Sequence, residues 1–150
     1  MRLKIPPVIV FLLSLGIAFG IYYLTKEYSY NYPYKTLLSR IPLVSGALIA
    51  LAGIAAFRLR GTTTDPTKPE KASTLVTNGI YMYTRNPMYF GMLLVLIGGI
   101  IRIGNPFCIL SAIFFVLYMN KFQIRPEEGA LKNLFPNEYP EYLKKVRRWI

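Results

Sequence analysis

The sequence predicts an all-α, polytopic membrane protein with about four transmembrane helices, and three observations carry that prediction. Apolar residues make up 53% of the chain, with a mean hydropathy of +0.35, well above an ordinary soluble domain. Uncharged runs extend over Ile5–Thr25, Ile41–Phe57, Asn86–Ile101 and Ile103–Asn120, each near the roughly 17 to 25 residues that cross a bilayer core as helix. The basic residues are divided between the intervening polar stretches in a way that one orientation explains: 14 of the 18 Lys and Arg fall in the N-terminus, in Arg58–Arg85 and in the tail from Lys121 onward. The positive-inside rule then puts both termini and the second loop in the cytoplasm.

The first run follows Met1-Arg2-Leu3-Lys4 and has the outline of a secretory signal, but its apolar stretch exceeds the usual 7 to 15 or so residues and three more runs follow. It is read as an uncleaved first span. The tyrosines at 22, 23, 28, 30, 32 and 34 then lie near the external face, where amphipathic rings favour the headgroup zone. The third and fourth runs are at the short end of the spanning range, so these two helices tilt little, sit in a locally thinner bilayer or form a partly submerged hairpin. Gly104-Asn105-Pro106 between them is a turn signal: glycine and asparagine tolerate left-handed backbone, and proline suits the first turn of the next helix. The two spans are expected to form a tight antiparallel hairpin, which returns Arg85 and Lys121 to the same membrane face.

Two prolines and several turn formers make Gly61–Lys71 a polar loop. Beyond the fourth run, Pro126-Glu127-Glu128 reads as a helix start and Pro136-Asn137 as its end. Glu138–Ile150 carries Tyr139, Tyr142, Leu143, Val146 and Trp149 at mostly three- and four-residue spacing beside Lys144, Lys145, Arg147 and Arg148, a pattern of a helix lying on the cytoplasmic membrane surface. Residues 1–150 are read as a single domain.

Histidine is absent and Cys108 is the single cysteine, which removes intrachain disulfides, the usual zinc, haem and iron–sulfur ligand sets, and imidazole acid–base chemistry. Cys108 sits in an apolar run and reads as a packing residue. The net charge of +11 invites a nucleic-acid reading, but the basic residues flank membrane spans, so the bilayer is the expected partner and nucleic acid is not. Oligomeric state is not encoded legibly.

Two clusters carry possible chemistry. In Thr84-Arg85-Asn86-Pro87-Met88-Tyr89-Phe90-Gly91, a loop enters a membrane helix, where unpaired N–H groups and the positive dipole end favour an anion. The plainer reading is a basic anchor, a first-turn proline and a glycine packing contact. In Arg125-Pro126-Glu127-Glu128-Gly129-Ala130-Leu131, adjacent acids suit an ammonium or a ribose hydroxyl pair, against the plainer reading of an acidic first helical turn. The hairpin puts both clusters at one face, and both signs of charge there suit a zwitterionic ligand.

These residues, with Thr77-Asn78-Gly79-Ile80-Tyr81 before them and Phe135-Pro136-Asn137-Glu138-Tyr139-Pro140-Glu141-Tyr142 and Val146-Arg147-Arg148-Trp149 after, closely resemble the isoprenylcysteine carboxyl methyltransferase family, whose relatives include phospholipid N-methyltransferases. The resemblance covers roughly residues 62 to 150. It implies S-adenosylmethionine as cofactor, a lipophilic or membrane-associated methyl acceptor, and a pocket built from Arg85, Asn86, Pro87, Tyr89, Glu127 and Glu128. Gly79, Tyr81, Arg125, Tyr139, Tyr142 and Arg148 are implied as further residues of the cofactor pocket, and Arg85 and Glu128 as the catalytic pair. Many members carry histidine where this chain has Asn86, and glycine is common where it has Pro136. Asparagine still donates and accepts hydrogen bonds but does not titrate. Two other classes compete: a membrane reductase of the related sterol-reductase fold using NADPH, and a non-catalytic membrane subunit. Glu127 and Glu128 disfavour the first, since two cofactor phosphates call for cations.

Overall fold

Proline placement sets the helix starts. Pro7 opens α1 (Pro7–Leu24) and Pro87 opens α3 (Pro87–Ile103), positions where the missing N–H costs nothing. Between them runs α2 (Lys35–Leu59). After α3 the chain continues as α4 (Ile109–Tyr118), a turn of π-helix over Met119–Ile124, α5 (Arg125–Leu134) and α6 (Glu138–Lys145). This computed structural model describes residues 5–59 and 74–150; the first four residues and the expected loop at Gly61–Lys71 lie outside the described residues. All described elements are helical.

Three helical stretches are long and apolar enough to cross a membrane: Pro7–Leu24, Lys35–Leu59 and the continuous stretch Pro106–Leu134. The run expected as the third span is a shorter apolar helix of 17 residues. The fourth expected span is longer than its uncharged run, because α5 follows α4 without a break. Pro126 cannot donate to a carbonyl one turn back, and the wider π turn immediately before it accommodates that missing bond. Pro126 thus stands in the first turn of α5, with Glu127 and Glu128, although no loop separates that turn from α4.

The α3–α4 turn uses the residues the sequence singled out. Gly104 is left-handed at φ 74° and donates its N–H to the Ile100 carbonyl at 2.9 Å. Lys35 Nζ donates to the Ile103 carbonyl at 3.1 Å, a cation on the negative end of α3. Asn105 is buried, yet fully employed: its side-chain oxygen accepts the Phe107 N–H at 3.0 Å and its amide nitrogen donates to the Thr25 carbonyl at 2.8 Å and to Ser29 Oγ at 3.1 Å. One asparagine thus pins the turn to the segment after α1.

The closest helix packing lies between α2 and α3, and glycine permits it. A methyl group added at Gly46 would stand 2.6 Å from the Gly91 carbonyl oxygen, and one at Gly98 would stand 3.0 Å from the Ser39 carbonyl oxygen. At the site end of the same pair, a methyl on Gly53 would meet Met88 Cγ at 2.9 Å and Pro87 Cγ at 3.2 Å. On the other side, α1 packs on α3 and α4 through Val10, Ala18, Leu96, Cys108, Phe115 and Met119. Outward-facing apolar residues such as Leu12, Phe19, Leu48 and Leu117 are more than half exposed, as lipid-facing side chains must be.

The tail departs from the expected surface helix. Tyr139 and Tyr142 are buried with Val146 against Leu75, Leu131 and Phe135, rather than facing lipid. Helix α6 stops at Lys145 and Val146 is extended, because the following residues leave the helix to hydrogen-bond the entrance of α3.

Candidate functional site

Five stretches of chain converge at the start of α3: the end of α2, residues 74–76, the three-ten turn Gly79–Met82, the α5 face just past the π turn, and α6, which is followed by a strap of residues 146–150. They enclose a cavity of about 90 Å³. Whole-ligand pockets run to roughly 300–1,000 Å³, so the enclosed part suits one end of a ligand.

Arg85 lies immediately before α3. Its backbone N–H donates to the Arg147 carbonyl at 3.1 Å, and its Nη2 lies 3.3 Å from Glu128 Oε1. Its side chain is 12% exposed, and Nε and Nη1 have no hydrogen-bond partner among the described residues. Buried guanidinium nitrogens without acceptors are costly and rare, and Arg85 is one of the residues that line the cavity. Glu128 is claimed a second time by Arg148, whose Nε donates to Oε1 at 3.0 Å and Nη2 to Oε2 at 2.6 Å. Those bonds push the Arg148 guanidinium pKa up.

Glu127 is differently placed. Its Oε1 accepts from the Tyr89 hydroxyl at 2.6 Å and from the Gln123 side-chain amide, and Gln123 Nε2 also reaches Tyr89 Oη at 3.3 Å. No lysine or arginine pairs with Glu127 among the described residues. The cavity therefore presents a guanidinium with spare donors and a carboxylate without a counter-ion.

Aromatic walls complete it. The Tyr142 hydroxyl donates to the Tyr81 carbonyl at 2.6 Å, and Phe57 from α2 meets the Tyr81 ring edge-on. Burial pushes the Tyr139 phenol up to about 12 and raises Tyr81 and Tyr142 as well, so all three remain protonated near neutrality.

Of the residues expected at the site, Tyr81, Arg85, Asn86, Tyr89, Glu127, Glu128, Tyr139 and Tyr142 line this one cavity. Asn86 does so while its Nδ2 donates to the Arg148 carbonyl at 2.9 Å, an acceptor Thr84 Oγ1 shares at 3.3 Å. Pro87 is buried behind the cavity, against α2. Gly79 is exposed, and its φ of 60° marks it as a turn former. Arg125 is exposed and does not line the cavity. Arg148 stays outside the lining but grips Glu128. Phe57, Met88, Leu131 and Gln123 escaped sequence reading. Gln123 and Leu131 sit four residues either side of Glu127, so helical spacing alone places all three on one face.

A model of the phospholipid methyltransferase family matches residues 34–138. An uncharacterized protein of Haemophilus influenzae is 43% identical over 63 residues, which cover 42% of this chain and 100% of that protein. The protein-S-isoprenylcysteine O-methyltransferase of Schizosaccharomyces pombe is 38% identical over 82 residues, 53% of this chain and 34% of the relative. For the human protein-S-isoprenylcysteine O-methyltransferase the values are 37% over 73 residues, 49% of this chain and 26% of the relative. The chain thus spans about a third or less of the length of these two named relatives. No solved structure matches.

Proposed function

The chain belongs to the phospholipid methyltransferase family, and from that premise we propose that it is an integral-membrane methyltransferase that uses S-adenosylmethionine to methylate a lipophilic acceptor. The observation that carries the reading is the meeting, in one cavity, of Arg85, with two guanidinium nitrogens lacking acceptors, and the Glu127 carboxylate, which has no counter-ion among the described residues. A carboxylate on the ligand suits the first, and a cationic group suits the second. S-adenosylmethionine carries both at its amino-acid end.

When bound, the sulfonium supplies an already activated methyl group, so the protein need only align a nucleophile in line with the sulfur–methyl bond. Arg85 would hold the cofactor carboxylate. Glu127, held in place by Tyr89 and Gln123, faces the cationic side. The rings of Tyr81 and Tyr139 favour positive charge by their π faces, and Phe57, Met88 and Leu131 give the cavity its apolar walls.

Of these groups, Glu128 is held by two guanidinium groups and the phenols are neutral, which leaves Glu127 as the one candidate base. A carboxylate or thiolate acceptor reacts without one, whereas an ammonium must first lose its proton. The names of the curated relatives refer to isoprenylcysteine, a carboxylate on an isoprenoid tail, and an acceptor of that kind enters from the bilayer between apolar helices. Both termini are placed in the cytoplasm, with α3 and α4 as a reentering pair of spans and the tail helices on the same face as the cofactor.

The test is calorimetric titration of detergent-purified protein with S-adenosylmethionine and, separately, with NADPH. Binding of the first alone is expected; binding of NADPH alone would replace this reading with the reductase one, and binding of neither would favour a non-catalytic subunit.

A further inference from the structure

Glu128 is the one carboxylate at the site shared by two guanidinium groups, and the sharing is unequal. Arg148 takes both oxygens side-on, with Nε to Oε1 at 3.0 Å and Nη2 to Oε2 at 2.6 Å. Arg85 makes a single longer contact, Nη2 to Oε1 at 3.3 Å, and keeps Nε and Nη1 unpartnered among the described residues. Carboxylates prefer the two-pronged guanidinium fork. Here the fork goes to the arginine that does not line the cavity, and the lining arginine is left with donors to spare.

We propose that Arg148 is a positioning residue: by occupying Glu128 it keeps Arg85 from being neutralised, and so preserves an anion-binding guanidinium in the cavity. The inference rests on the functional reading above for the identity of the anion. Charge counting carries the argument. Within the Arg85–Glu128–Arg148 cluster, two guanidinium groups and one carboxylate leave one positive charge for an incoming carboxylate, and Glu127 remains for the ligand's cation. Without Arg148 the count is zero, and Glu128, only 19% exposed, has Arg85 as its nearest cation. A small rotation then turns the single contact into a fork on Arg85 that consumes the donors a ligand needs. The pairing is stronger for being partly dry.

The backbone of the strap is held independently of the Arg148 side chain. The Arg147 carbonyl accepts from the Arg85 N–H at 3.1 Å, the Arg148 carbonyl accepts from Asn86 Nδ2 at 2.9 Å, and Trp149 Nε1 donates to Asn120 Oδ1 at 3.1 Å. Truncating the guanidinium therefore leaves the strap docked. Trp149 is the single tryptophan of the chain, so its emission reports docking directly.

The experiment compares wild type, Arg148→Gln, Glu128→Gln and the double variant in detergent, by S-adenosylmethionine titration and Trp149 emission. Arg148→Gln is expected to weaken binding by about 10- to 100-fold, the scale of one charge-assisted hydrogen bond, with Trp149 emission unchanged. The double variant is expected to recover most of that loss, because removing the Glu128 charge frees Arg85 again. A direct Arg148 contact to the ligand, or a purely structural role, gives no such rescue. Wild-type affinity in Arg148→Gln, a double variant as weak as Arg148→Gln, or a shifted Trp149 emission in both would each overturn the proposal. Failure of wild type to bind the cofactor would sink the functional reading and this inference with it; binding without rescue sinks this inference alone.

Discussion

Glu127 and Glu128 are neighbours in sequence with opposite surroundings: one receives hydrogen bonds from a phenol and an amide, the other is bracketed by arginines. Their substitutions should differ accordingly. Glu127→Gln removes the charge that faces the cationic side of the ligand and should weaken S-adenosylmethionine binding by about 10- to 150-fold in a calorimetric titration. Arg85→Lys should be similarly harmful although it conserves charge, because an ammonium cannot reproduce a planar fork; wild-type affinity in that variant would reduce Arg85 to a membrane anchor. The adjacency of Arg85 and the acids was legible because turn chemistry at Gly104-Asn105-Pro106 specifies a reversal between them. The division of labour between the acids was not. It depends on which face of α5 each occupies after the π turn, and on a strap whose extended backbone has no periodic signature. Asn86 makes the same point. Its sequence position suggests a ligand contact, while in space its amide also ties down the Arg148 carbonyl. Asn86→Asp, which sets an acceptor against that carbonyl, should release the strap and shift Trp149 emission, whereas Asn86→His keeps an N–H donor and should not.

Among the elements, the α2–α3 pair determines where the cavity can be. Gly53 lets α2 close on Pro87 and Met88, and Phe57, one turn further along α2, thereby reaches the Tyr81 ring. The uncharged run Ile41–Phe57 identified α2 as a span but said nothing of its partner, since every apolar face looks alike to lipid. Glycine spacing held the missing information: Gly46 and Gly53 on α2, and Gly91 and Gly98 on α3, are each seven residues apart and face the neighbouring helix. Gly46→Ala should force the two backbones apart and cost about 1–3 kcal/mol of stability. Thermal unfolding in mild detergent measures it, with Gly16→Ala as the comparison, because nothing lies within 4 Å of a methyl added at Gly16. Equal melting temperatures for the two variants would mean that the close approach carries no stability. The tail helix was legible only to Lys145; amphipathic spacing continues to Trp149, but tertiary hydrogen bonds prevail over it there.

On the scale of the whole molecule, the distribution of charge argues for a single orientation. Reporter fusions at Ile150 should read cytoplasmic and one near Tyr32 external; an external C-terminus would separate the strap from the expected cofactor compartment. The 17 residues of α3 amount to about 26 Å of helix, several Å less than the roughly 30 Å hydrocarbon core. Along the partner stretch, Glu127 lies 21 residues beyond Pro106, or about 32 Å of rise if helical throughout. A helix as short as α3 is matched to a bilayer by local thinning of the lipid or by flanking side chains that reach out to the interface.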